Sequence, residues 1–171
     1  MKKKLLSLLT VSVISLGLFA GCGNTSSDTS SKGDVLKVGM STDSGTIDDK
    51  SFNQGCWEGI LKSQKELGTD VKYLQPSGES EAEYLKEIGN LYDAGYKFIV
   101  TPGYKFESSV YKAQDKYKDA NFVLLDGEPR SDAGEALVGE NTVAIYFAEE
   151  QAGFVAAVAA CVEIKEGDLG F

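Results

Sequence analysis

Histidine is absent from the 171 residues of this chain, and cysteine and proline occur only three times each. Without histidine, the chain cannot build a Ser–His–Asp triad or use an imidazole as a general acid or base. The sequence contains neither a GxGxxG after its first predicted strand nor a GxxxxGK[ST], which argues against a dinucleotide cofactor and a phosphate-cradling loop. We therefore predict a protein that is not an enzyme and has no cofactor, although paired carboxylates leave one route to catalysis open.

The scarce cysteines give no sign of a disulfide framework or a metal site. Cys56 and Cys161 are far apart in the sequence and share no spacing typical of zinc ligands or redox pairs. Both fall in predicted helices with apolar neighbours, so we expect them to be buried and unreactive. The third cysteine, Cys22, lies near the amino end in a different context.

The amino-terminal residues have the pattern of an export signal. Three lysines at positions 2–4 precede an apolar stretch at 5–19, and Ala20, Gly21 and Cys22 follow. A short membrane helix or a buried element is the alternative, but the stretch is shorter than the roughly 20 residues that span a bilayer. The run Phe19-Ala20-Gly21-Cys22 resembles a bacterial lipobox with Phe in place of the usual Leu. We predict a signal peptide at 1–21 and lipidation of Cys22.

A flexible tether is predicted after Cys22. Residues 23–33 read GNTSSDTSSKG and offer no aliphatic or aromatic side chain to bury, so ordering them is not offset by apolar contacts. Residues 22–33 would link a membrane anchor to a folded domain outside the cytoplasm. The formal net charge of −9 disfavours nucleic acid and anionic lipid as partners.

Short apolar runs alternate with amphipathic stretches from residue 34 onward. This order predicts an α/β fold with a Rossmann-like parallel sheet covered by helices. The run FVLLD at 122–126 is apolar enough for a strand buried on both faces. We predict strands at 35–41, 71–74, 98–101, 122–126 and 143–146 and helices at 51–67, 79–94, 104–117 and 148–162.

The sequence predicts an incomplete first lobe followed by only the beginning of a second lobe. Residues 34–146 would form most of a first lobe, and residues 147–171 would supply the first helix and strand of a second. The predicted helix at 148–162 has few polar residues and so needs a partner on most of its sides. The alternative is a complete one-lobe domain with a frayed tail.

Four side chains are candidates for ligand binding at the carboxyl ends of the strands, where open parallel sheets bind their ligands. Asp43 follows the first predicted strand and Asp126 ends the fourth. Phe52 could stack on a flat ligand, and Asn53 offers both a donor and an acceptor. Turns, helix caps and core packing are the ordinary roles of such residues, and spacing alone leaves these alternatives open.

The segments VGM at 38–40, TDSGTIDDKSFNQ at 42–54 and WEG at 57–59 closely resemble the basic membrane protein family of substrate-binding lipoproteins. The resemblance continues through LLDG at 124–127 and FAEEQAGF at 147–154, and it covers essentially all of residues 34–171. The family includes purine nucleoside receptors of ABC importers. The resemblance implies a type I periplasmic-binding-protein fold, in which two Rossmann-like lobes close on the ligand.

The resemblance also implies a function. Asp43, Phe52 and Asp126 match the positions that contact the nucleoside in purine nucleoside receptors, and Asn53 is a weaker candidate beside them. The chain would be a monomeric, lipid-anchored receptor that delivers a nucleoside to an ABC permease. A receptor for another flat or sugar-like solute, a carboxylate enzyme and a surface interaction protein remain as alternatives.

Overall fold

The structure, a computed structural model, describes residues 35–164 and Gly167. The predicted signal peptide, Cys22, the whole tether and the strand expected at the end of the chain lie outside these residues. Five parallel strands form one sheet in the order β2-β1-β3-β4-β5. The strands are β1 Lys37–Ser41, β2 Asp70–Leu74, β3 Phe98–Pro102, β4 Asn121–Leu125 and β5 Thr142–Ile145.

Helices connect the first four strands, and this alternation confirms the predicted α/β class. The helices are α1 Phe52–Leu67, α2 Glu81–Asp93, a short 3-10 helix Tyr104–Phe106, α3 Glu107–Lys116 and, after β5, α4 Glu149–Glu163. None of the helices that the structure describes has the length and apolarity needed to span a bilayer.

The direction of the strand order reverses between β1 and β3. From β1 the chain moves to one side to make β2, and it then returns to the other side to make β3, β4 and β5 in turn. Right-handed crossovers therefore place α1 on one face of the sheet and α2 and α3 on the other. The loops that leave β1 and β3 diverge here, which forms the crevice in which open α/β sheets bind ligands.

The face covered by α2 and α3, which we call the closed face, holds the larger core. It packs Tyr84, Ile88 and Leu91 of α2 against side chains that alternate inward along β3 and β4. The other buried members are Ile99, Phe106, Val110, Ala113, Ala120, Phe122 and Leu124.

The face covered by α1 alone, which we call the open face, has a smaller core. Val38, Met40, Ile60 and Val100 are its buried members, and Leu125 is only partly buried against them. An apolar groove of about 450 Å³ runs between α1 and the sheet. Strand β4 is thus buried on one face and partly exposed on the other, so the predicted burial on both faces is wrong.

Helix α4 has no buried residue. Its large apolar side chains are exposed, including Phe154, Val155 and Val162. Cys161 lies on this helix and is exposed as well, so the prediction that it is buried is wrong. Cys56 lies in α1 and is partly buried, and desolvation raises the pKa of its thiol, in keeping with the unreactive role that we expected.

The remaining differences from the predicted elements are local. Ser51 is the N-cap of α1, but its side chain makes no capping hydrogen bond. Ser80, which the sequence reading did not identify, forms a capping box with Glu83 at the start of α2. The helix predicted at 104–117 is divided into the 3-10 turn and α3. Gly68 ends α1 with a φ of 70°, in the left-handed region that favours glycine.

Candidate functional site

The loop after β1 is organised around the carboxylate of Asp43. Its Oδ1 atom accepts a hydrogen bond from the backbone N–H of Gly45 at 2.8 Å and another from Asn53 Nδ2 at 2.7 Å. The first bond is the local turn contact expected of an Asp in a loop. The second ties the loop to the first turn of α1, so the two polar candidates Asp43 and Asn53 are in direct contact.

Asn53 is buried, yet its Oδ1 atom accepts no hydrogen bond from any residue that the structure describes. A buried acceptor without a donor costs about 1–3 kcal/mol, so an N–H or O–H group from a ligand or a water would stabilise the site. Gly45 permits this close arrangement, because a Cβ atom on it would lie 2.5 Å from Asn53 Nδ2.

Lys105 brings a positive charge to the same loop. Its Nζ atom lies 3.0 Å from Glu79 Oε2 and 3.9 Å from Asp43 Oδ2. A hydrogen bond from Ser44 and then one from Lys105 lower the pKa of Glu79, while the pKa of Lys105 is raised mainly by its bond to Glu79. Lys105 therefore partly offsets a concentration of negative charge at this edge.

Phe52 is the first residue of α1 and keeps 39% of its surface exposed. Its ring lies edge to face against that of Phe147, with centroids 6.0 Å apart and an interplanar angle of 82°. Phe52 belongs to neither buried core cluster. Part of its ring is therefore accessible for stacking on a flat ligand.

Asp126 directly follows β4 and has a φ of 61°, in the left-handed region that non-glycine residues seldom adopt. Such backbone conformations persist where the surrounding structure holds them, and they cluster at functional sites. Desolvation raises the pKa of Asp126, and the neighbouring carboxyl of Glu149 raises it further through a hydrogen bond and like charge. A ligand donor between the two carboxyl groups would relieve this repulsion.

The turn after β3 connects the Asp43 and Asp126 loops. Gly103, with a φ of 107°, donates its N–H to Leu125 O at the end of β4 at 2.7 Å. A Cβ atom on Gly127 would lie 3.3 Å from Tyr104 Cα, while the next residue, Lys105, faces Asp43. Both acids thus flank one turn at the carboxyl edge of the sheet.

Several residues of this edge were missed by the sequence reading. Gln75 follows β2 and donates to the carbonyl of Ser44 at 3.2 Å, and Glu79, Lys105, Phe147 and Glu149 make the contacts described above. The rule that ligands bind beyond strand ends could have identified Gln75 and Lys105, because both come within a few residues of a strand end. Phe147 and Glu149 also come within a few residues of a strand end, that of β5, but they were assigned to the second lobe and so were not considered.

The crevice edge offers several hydrogen-bond acceptors but no arrangement of described side chains that is typical of a metal site. Asp43, Asn53 Oδ1, Asp126 and Glu149 offer oxygen acceptors, and Phe52 offers an aromatic surface beside them. Within the described part of the chain, no group of three or more His, Cys, Asp or Glu side chains is arranged to hold a metal ion. The arrangement suits a flat ligand that carries N–H or O–H donors.

Solved structures share this fold. A solute-binding protein of an ABC transporter system from Aeropyrum pernix matches 74% of the chain and 32% of its own length, with 24% identity and a TM-score of 0.64. A structure described as a transcriptional activator of the comK gene, from Bacillus halodurans, matches 63% of the chain and 33% of its own length, with 26% identity and a TM-score of 0.51. The parallel sheet is therefore that of periplasmic solute-binding proteins.

Curated relatives match over the whole chain. An "ABC transporter nucleoside-binding protein BmpA" from Lactococcus lactis is 28% identical over 100% of this chain and 48% of its own length. A "CD4+ T-cell-stimulating antigen" from Listeria innocua is 32% identical with the same coverage. The chain thus spans about half the length of the curated relatives that it matches.

A family model matches residues 36–171, which include every strand and helix that the structure describes and all the crevice residues. The description of that family is "ABC transporter substrate-binding protein PnrA-like". This match agrees with the fold, with the named relatives and with the resemblance stated from the sequence. The chain therefore belongs to the PnrA-like family of ABC transporter substrate-binding proteins.

Proposed function

We propose that the chain is the first ligand-binding lobe of an extracytoplasmic lipoprotein that captures a purine nucleoside for an ABC importer. The observation that carries this proposal is the grouping of an accessible aromatic ring and several unpaired or strained acceptors at one edge of the sheet. Phe52 is half-exposed, and the Asn53 Oδ1 atom is buried without a donor among the described residues.

The charge of the edge favours an unphosphorylated ligand. Among the described residues, Lys105 is the cation that pairs with Asp43 and Glu79, and Asp126 adds a further carboxyl to this edge. A phosphate would add two negative charges to this group, whereas a nucleoside brings a flat base and several neutral donors. The relative from Lactococcus lactis is named for nucleoside binding, which supports the same ligand class.

The mechanism that we propose is capture by closure. Phe52 would stack on the base, while Asp43, Asn53 and Asp126 would accept its N–H groups or the O–H groups of the sugar. A second lobe, which residues 147–171 would begin, would cover the other face of the ligand and exclude water. One lobe makes only part of these contacts, so we expect this chain by itself to bind in the millimolar range.

Titration of the chain with inosine, followed by NMR, tests the ligand class. We expect saturable shifts of the Phe52 ring signals with inosine and adenosine, and no saturation with ribose or riboflavin. Phe52→Leu should weaken inosine binding at least about fivefold, since stacking of a base on an aromatic side chain contributes about 1–3 kcal/mol. Phe154→Leu on the exposed α4 is the matched control. Saturation with ribose but with no nucleoside would overturn the proposal.

The anchor is tested separately from the ligand. We propose that residues 1–21 are removed, that Cys22 carries the lipid, and that residues 22–33 tether the domain 34–146. A bacterium that expresses the chain should incorporate an alkyne-labelled palmitate into it, and Cys22→Ser should abolish this label while Cys161→Ser retains it. Equal labelling of all three chains would contradict lipidation of Cys22.

A further inference from the structure

Among the described residues, the ring of Phe52 pairs with one other aromatic ring. Phe52 begins α1 at an N-terminus whose cap residue makes no side-chain hydrogen bond, and it lies outside both core clusters. Its aromatic partner among the described residues is Phe147, at 6.0 Å and 82°. Edge-to-face pairs of this geometry contribute about 0.5–1.5 kcal/mol beyond the area they bury.

The chain just before Phe147 is tied to the end of β4. The carbonyl of Ile145, two residues before Phe147, accepts a hydrogen bond from the backbone N–H of Asp126 at 2.7 Å. Two residues after Phe147, Glu149 lies near enough to Asp126 to help raise the pKa of that carboxyl. The backbone that carries Phe147 is therefore attached to the crevice edge, although the side chain remains half-exposed.

We propose that Phe147 is a positioning residue of the ligand site, which holds the ring of Phe52 in the orientation that stacks on a flat ligand. This inference rests on the proposed nucleoside function and assigns a role to a residue that the sequence reading placed in the second lobe. Phe147 lies where the chain leaves the sheet, so the stacking surface depends on a residue from outside the α1 loop.

The orientation of the Phe52 ring should affect some classes of ligand and not others. A pre-oriented ring lowers the cost of binding for a ligand that stacks, because less side-chain freedom is lost. A ligand that only donates hydrogen bonds gains nothing from the ring. Loss of Phe147 should therefore weaken the binding of nucleosides and leave the stability of the sheet unchanged, because Phe147 is not part of either core.

The experiment compares Phe147→Leu and Phe147→Tyr with the unmodified chain by NMR. Phe147→Leu keeps an apolar side chain but removes the ring, so the ring-current shift of the Phe52 protons should disappear and inosine binding should weaken about two- to twelvefold. Phe147→Tyr keeps an aromatic ring and should therefore retain both the ring-current shift and the affinity for inosine. Phe154→Leu removes a more exposed phenylalanine from α4 and should change neither signal.

The outcomes separate this inference from the proposed function. If the unmodified chain shows no saturable response to inosine, the proposed function fails and the role of Phe147 fails with it. If the unmodified chain responds and Phe147→Leu responds with equal affinity, only the role of Phe147 is overturned. Nuclear Overhauser contacts from inosine to Phe147 and not to Phe52 would also overturn it, because Phe147 would then be a direct contact.

Discussion

The two faces of the sheet differ in how completely they are covered. On the closed face, α2 and α3 bury a continuous cluster in which Tyr84, Phe106 and Leu124 are nearly or fully inaccessible. On the open face, α1 alone covers β1 and part of β3, and an apolar groove remains beside it. The same strands serve both faces, so the difference arises from where the crossovers place the helices.

This difference shows that apolar composition alone does not decide burial. Leu124 and Leu125 are neighbours on β4 with the same side chain, yet Leu124 is fully buried and Leu125 only partly. Side chains alternate across a strand, so each of the two meets a different face. Stability should therefore depend on the closed face, while the crevice edge, where both faces end, is free to serve a ligand.

The largest expected effect comes from truncating these two leucines. Leu124→Ala should lower the free energy of unfolding by about 2–5 kcal/mol, because it leaves a cavity in a closed core. Leu125→Ala should cost clearly less, since its site is already partly solvated. Urea unfolding followed by far-UV circular dichroism measures both. Equal losses for the two variants would show that the open face is covered in solution.

The second largest effect should come from removing the N-cap side chains of α2, on the closed face, and of α1, on the open face. Ser80→Ala removes the side-chain bonds of the capping box of α2 and should cost about 1 kcal/mol. Ser51→Ala at the N-cap of α1 should change the free energy of unfolding by much less, because that side chain makes no cap bond. Thermal unfolding of both variants is the measurement, and a larger loss for Ser51→Ala would contradict the structure.

Glycines inside the helices sharpen the comparison further. A Cβ atom on Gly59 of α1 would meet open space, so Gly59→Ala should stabilise the chain by about 0.5–1 kcal/mol through helix propensity. On α2, a Cβ atom on Gly89 would lie 3.0 Å from Tyr117 Oη, so crowding should remove part or all of that gain. Parallel urea titrations test this, and an equal gain at both sites would argue against tight packing on the closed face.

The smallest expected effect is at the crevice edge and depends on pH. The folded structure raises the pKa of Asp126, so its stabilising contribution is fully present below the unfolded pKa and is lost as the pH rises through the folded pKa. Asp126→Asn should thus raise the melting temperature slightly at neutral pH and lose this advantage in acid. Calorimetry at several pH values tests the sign. An advantage that grows in acid would be the opposite of what we expect.

Much of the fold could be predicted from the sequence, and the remaining differences have physical causes. The alternation of apolar runs with helical periodicity predicted all five strands and the parallel sheet, since both patterns depend on local spacing. The division of the third helix and the exposure of Cys161 were missed. The first depends on the turn that begins at Gly103, and the second depends on whether another segment covers α4. Neither can be read from the spacing of apolar residues.

The candidate site divides in a similar way. Asp43, Phe52, Asn53 and Asp126 could be selected because strand ends and a distinctive motif mark them. Their roles in binding remain predictions, although the structure shows Asp43 and Asn53 in contact. Lys105, Phe147 and Glu149 also follow strand ends, but only the structure shows which remote segments their side chains meet.

The sequence by itself determined the class of the fold, the acidic charge, the absence of histidine chemistry and the family. These properties follow from composition, local periodicity and short motifs, which need no knowledge of what lies across the chain. Only the tertiary structure decided that Phe147 meets Phe52, that Glu149 meets Asp126 and that one face of the sheet is less covered than the other. These depend on distances between remote segments, which the order of strands and the hand of the crossovers fix.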